Sequence, residues 1–170
     1  QGHRVPPRVV ALPQGDDAWR DAVTLLRAEA EQADGAGKGA LLYASARIAA
    51  RRLDQVDLGE ALLRQAIQAG EDSTDALRLL AELRGLLDRF TDQEQALLQV
   101  AQASTGVNRA EAYLEAALIA WQQRDRPNEA VVYLREAAKA VPQDYTTRAL
   151  LRALLPTVSG TTLTERMDVL

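Results

Sequence analysis

Carboxylates and guanidinium groups are the reactive chemistry this chain holds in quantity. It carries 24 Asp and Glu against 20 Lys and Arg, with no cysteine and one histidine, His3. A thiolate nucleophile, a disulfide framework and a Cys- or His-rich metal site are thereby excluded. Acid–base work would fall to paired carboxylates about 5–9 Å apart in a cleft. The neighbouring pairs Asp16/Asp17, Glu29/Glu31 and Glu71/Asp72 instead fall at helix ends or on polar faces, where capping and solubility account for them. No Gly-x-Ser-x-Gly, P-loop or dinucleotide fingerprint occurs, and Gly35-Ala36-Gly37-Lys38-Gly39 lacks the Walker spacing. The expectation is no enzyme: no catalytic residue, no metal and no cofactor.

Among the basic residues only Lys38 and Lys139 are lysine, which reads as the mark of a genome rich in G and C. A formal charge of -4, a pI near 5.1 and the lack of an aromatic-plus-basic stripe oppose nucleic-acid binding. No apolar run approaches the ~20 residues of a membrane helix, so no membrane insertion is expected. Gln1-Gly2-His3 reads as the remnant of an affinity tag, and residues 1–15, with Pro6, Pro7 and Pro13, as an extended lead-in. No apolar core of a signal peptide is visible there. Localisation stays open, with the cytoplasm favoured.

The elements that must position any site are helices. Ala and Leu dominate, aromatics are 4% of residues, and the best helix formers fill most of the chain. Trp19, Ala22, Val23, Leu26 and Ala30 recur at helical spacing after Asp16, and Ala33–Gly39, with three glycines, reads as a break. The next stripe, Leu42, Tyr43, Ala46, Ala49 and Ala50, ends near Asp54. Asp57/Glu60, Thr91/Glu94 and Asn108/Glu111 each have the spacing of a capping box that would open the helices following them. A helix is expected from about Thr74 to Phe90, another from Pro127 to before Pro142, and one ending at Pro156. Thr162 and Glu165 suggest a short last helix, a possible cap over 156–170. Short joints between such helices make neighbours antiparallel.

Whether this is a bundle or a stack of repeats turns on self-similarity. Residues 40–73, 77–110 and 111–144 align so that Gly59, Ala96 and Ala130 correspond, as do Ala66, Ala103 and Ala137. Small residues at these places suit helix crossings, where bulk would force the axes apart. With Trp121, the turn Arg124–Ala130, Ala137 and Pro142, the third segment resembles the tetratricopeptide repeat, a helix-turn-helix unit of ~34 residues. An ordinary helical bundle is the plainer alternative. The resemblance departs from the family at its tryptophan, at its first-helix glycine (Arg47, Arg84 and Leu118 here) and at the terminal proline of two units. It implies an all-α, right-handed α-α superhelix over 16–155, with half-units at 16–33 and 145–155. The Ala/Leu/Arg-rich style also resembles bacterial repeat arrays.

In that family the first helices line a concave groove. Carried over by position, the groove would hold Leu41, Ala44, Ile48, Arg51 and Arg52, then Arg78, Ala81, Gly85, Asp88 and Arg89, then Ala112, Glu115, Ile119, Gln122 and Gln123. The family's carboxylate clamp of Lys and Asn is absent, since Ala44, Ile48, Ala81 and Gly85 stand there. The implied function is a protein-protein interaction scaffold or adaptor whose groove, with Ile48, Arg51, Arg52, Arg78, Asp88, Arg89, Glu115, Ile119 and Gln122, takes a protein or peptide segment. Arginine forks suit an acidic segment. The plain account makes them solvated helix faces paired with Asp54, Asp88 or Glu82. A regulatory domain sensing a small anionic ligand is the alternative, and would need an enclosed pocket among Arg51, Arg52, Arg78 and Arg89. Apolar end helices (Leu150, Leu151, Leu154 and Leu155) make self-association possible.

Overall fold

The computed structural model describes residues 15–71 and 73–158. The expected lead-in before Gly15 and the Thr162/Glu165 helix lie outside these residues. Eight α-helices follow one another: α1 (Asp16–Gln32), α2 (Gly35–Arg52), α3 (Val56–Gln68), α4 (Thr74–Leu86), α5 (Phe90–Ala103), α6 (Gly106–Leu118), α7 (Pro127–Ala140) and α8 (Tyr145–Leu154). The last turn of α6 widens into a π-helical segment, Ile119–Gln123, and Leu155–Thr157 form a 3-10 turn. Each helix packs on the next, so the chain is a right-handed α-α solenoid, with no strand among the described residues.

A turn with an aspartate in the left-handed region separates the paired helices: Asp54 (φ 53°), Asp88 (φ 55°) and Asp125 (φ 50°). Asp and Asn tolerate this conformation because their short polar side chains bond locally, whereas most L residues are strained there. The next N–H closes the preceding helix each time, from Gln55 to Ala49 O at 2.9 Å, Arg89 to Arg84 O at 2.9 Å and Arg126 to Ala120 O at 2.7 Å.

These turns set the register. Counted from them, Leu63, Leu97 and Leu134 are equivalent, at 0%, 2% and 1% exposure, as are the fully buried Ala66, Val100 and Ala137. The alanine alignment of the second unit is thus corrected by three residues, and Ala103 is exposed at the end of α5. The true counterpart of Gly59 and Ala130 is Gln93. A glutamine fits there because the small residue has moved to the facing helix: a Cβ on Gly85 would stand 2.6 Å from Gln93 Nε2. In the first unit the gap is on α3, where a Cβ on Gly59 would stand 2.9 Å from Ala50 Cβ.

Helix starts also differ from expectation. The glycine run is no break: α2 begins at Gly35, and only Ala33-Asp34 interrupt the helices. Phe90 does not close α4 but opens α5. None of the three capping boxes forms, because the N-caps are Gln55, Arg89 and Thr105, without side-chain bonds. Side-chain caps come from Ser73, which accepts the Ala76 N–H at 3.2 Å, and from Asp144 at the start of α8. The Thr147 hydroxyl and the N–H groups of Thr147 and Thr146 hold the Asp144 carboxyl below its usual range.

Glu60 and Glu94, not engaged in capping, are the two buried carboxylates among the described residues, at 3% and 4% exposure. Both stand at the same distance from their turn aspartate and meet arginine from the following unit. Arg89 Nη1 donates to Glu60 Oε2 at 3.3 Å, with Arg84 Nε 3.5 Å from Oε1. Arg124 donates to Glu94, whose other oxygen accepts the Tyr133 hydroxyl at 2.8 Å. The equivalent place in the third unit is Val131, also buried. Successive units are thus joined by an ion pair as well as by apolar contact.

Candidate groove on the concave face

The first helices of the units, α2, α4 and α6, line an open groove of about 900 Å³. Its floor is apolar: Leu79, Ala81, Leu97 and Ile119 are buried beneath it. Leu79 and Ala81 come from α4, Leu97 from α5 and Ile119 from the π segment after α6. Leu86, 65% exposed, and half-buried Phe90 form the end near the α4–α5 turn. Charges of both signs rim it. Arg51 donates to Glu82 at 2.8 Å, and Arg78 lies 3.5 Å from both Glu111 and Glu115. Arg78 also donates to the Asn108 carbonyl at 3.3 Å, tying α4 to the start of α6. These exposed pairs add little stability, since water screens them and ordering long side chains costs entropy.

The expected site residues separate into groups. Arg51, Arg78, Glu115 and Ile119 come together in this groove. Ile48 and Arg52 lie on a smaller depression beside it, with Trp19. Asp88 is the left-handed turn residue, and Arg89 turns to Glu60 and to Asp57, 4.0 Å away. Gln122 is exposed, while its neighbour Gln123 lines the groove. Gln123 continues the i, i+4 line of Glu115 and Ile119 along that face. Tyr43, Arg47, Glu82, Leu86 and Phe90 also line the groove and were not among the expected residues. The spacing of Tyr43 and Arg47, one helical turn apart, carried a signal: the Arg47 guanidinium lies 5.7 Å from the Tyr43 ring centre.

Two tyrosines report on these contacts. Burial and the Glu94 hydrogen bond, with that carboxylate's charge, push Tyr133 up to about 12. Burial raises Tyr43 as well. The folded state therefore keeps protons that the unfolded chain releases near pH 10, so stability falls as pH rises from about 10 towards 12. Tyr133→Phe is expected to flatten that loss. Urea midpoints for wild type and variant at neutral pH and across this window check it.

No protein-family model and no curated protein sequence matches the chain. Solved structures do match in fold. A crystal structure of MamA aligns with TM-score 0.62 and 12% identity, covering 89% of this chain and 80% of that one. A MamA RS-1 double mutant gives 0.59 and 13%, over 90% and 85% of the two chains. MamA MSR-1 C2 gives 0.53 and 15%, over 89% and 88%. MamA is a helical repeat protein of tetratricopeptide type, and this chain shares its fold. Among the described residues no helix is long and apolar enough to cross a membrane.

Proposed function

We propose that the chain is a protein-interaction scaffold whose concave groove holds a segment of a partner protein. The observation that carries this reading is the groove itself: open, apolar along its floor and rimmed by paired charges that a ligand can exchange. A partner carboxylate can replace Glu82 on Arg51 at little net cost, since exposed pairs are worth only ~0–1 kcal/mol. Leu86 offers an aliphatic anchor already in solvent. Specificity then comes from charge order along the segment rather than from burial of ions. The shared fold of MamA supports a binding role without fixing the partner.

A sensor of a small anion is less favoured. The four guanidiniums it would need do not converge on one cavity, because Arg52 lies over Trp19 and Arg89 turns to Glu60.

The test is selection of binding peptides from a random library, followed by titration against wild type and Arg47→Glu/Leu86→Asp. Both changes are at exposed positions and leave the core intact. The selected peptides are expected to bind the variant about tenfold more weakly or worse, a change of ~1.4 kcal/mol. Equal affinity for both proteins would mean that the groove is not the site.

A further inference from the structure

The depression beside the groove is built differently from the groove. Trp19 of α1 and Ala44 and Ile48 of α2 form its apolar surface, and Arg47, Arg51 and Arg52 border it, an open depression of about 560 Å³. Helix α2 contains no Asp or Glu from Gly35 to Arg52, so these arginines have no carboxylate on their own helix. On α1, Asp17 is held by Arg20, and the carboxylate facing Arg51 from α4 is Glu82. The other two guanidiniums lie over aromatic rings, Arg47 over Tyr43 and Arg52 over Trp19, the latter at 5.3 Å. A guanidinium at this distance from a ring has five N–H donors with which to meet other partners. Such donors match a carboxylate in the forked geometry.

The remainder of the concave face has the opposite bias. Asp75, Glu82 and Glu115 line the groove on α4 and α6. The concave surface is therefore most basic at α2 and acquires acid towards α6. A polyphosphate backbone carries one sign along its length and would meet repulsion there. A peptide with acid at one end only would not.

We propose that the Trp19–Arg52 shelf is an anion-and-apolar subsite that receives the acidic end of the partner segment. It takes an aliphatic or aromatic side chain against Trp19 and Ile48, with flanking Asp or Glu side chains on Arg47 and Arg52. This rests on the groove as the partner site, and it adds the polarity of the bound segment. Acid lies at α2, and the chain continues towards α6.

Trp19 reports on the subsite directly once Trp121→Phe has removed the other tryptophan. The probes are an acetylated Glu-Leu-Asp-Phe-Glu peptide, its Gln-Leu-Asn-Phe-Gln counterpart and an oligouridylate. The acidic peptide is expected to change Trp19 emission saturably, about tenfold more tightly than the amide peptide. Arg47→Ala/Arg52→Ala should weaken it by a similar factor, as should raising salt to roughly 0.5 M. Circular dichroism matched to wild type would show that the variant's fold is intact. Equal binding of the acidic and amide peptides, an unchanged affinity in the double variant, or tighter binding of the oligouridylate would each overturn the subsite. If library-selected peptides still depend on Arg47 and Leu86 while Trp19 stays silent to the acidic peptide, the subsite fails and the scaffold reading stands.

Discussion

Glu94→Ala is expected to cost about 3–5 kcal/mol in unfolding free energy, the loss seen when one partner of a buried ion pair is removed. The carboxylate is almost fully buried, and its two oxygens serve Arg124 and the Tyr133 hydroxyl. Without it a guanidinium and a phenol are left inside the protein with no acceptor. The pair itself is not the source of that energy, because desolvation offsets most of its Coulombic attraction. Glu94→Leu/Arg124→Met should therefore recover much of the loss. Glu60→Ala should cost a similar amount: water can solvate Arg64 and Arg89, which are about half exposed, but Arg84, 15% exposed, loses its carboxylate. Urea unfolding of the three variants beside wild type measures the series. A Glu94→Ala cost below about 1 kcal/mol would mean that the site hydrates freely.

Leu97→Ala should have an effect of similar size, about 2–5 kcal/mol for a buried leucine in a packed core. Leu97 is the central member of the Leu63, Leu97 and Leu134 series and also supports the groove floor. Truncation opens a cavity between neighbouring units, where the helices on either side are held by other contacts and cannot fully collapse. Leu86→Ala, by contrast, should stay within ~0.5 kcal/mol, because Leu86 is already mostly in water. Thermal and urea unfolding distinguish the two. Peptide binding should reverse the order, with Leu86 the more important of the pair.

The helical solenoid is legible in the sequence because its cause is local and periodic. Apolar residues recur at helical spacing, and the joints between stripes are short. The register of the second unit is not legible from alanines, since alanine is so common that Ala96 and Ala103 match by spacing alone. The better marker was the turn, where Asp54, Asp88 and Asp125 precede a helix by two residues. Glu60 and Glu94 mislead for another reason. Their spacing from Asp57 and Thr91 fits a local cap, but arginines about 30 residues away draw them inward. That competition is between a local bond and a tertiary one, and only the folded chain decides it.

The site divides along the same line. Arg51, Arg78, Glu115 and Ile119 follow from the repeat because first helices share a face. Arg52 and Ile48 depend on where α1 places Trp19, which no spacing within α2 reveals. Of the two glutamines expected there, Gln123 lines the groove and Gln122 does not.

The face lined by α2, α4 and α6 is expected to bind a protein segment. This is tested most directly by mapping amide and side-chain shifts of the labelled protein while a library-selected peptide is titrated in. Perturbations are expected at Tyr43, Arg47, Arg78, Leu86 and Ile119, saturating together. Perturbations confined to the outward faces of α3, α5 and α7, at Val132 for example, with the groove unchanged, would contradict it.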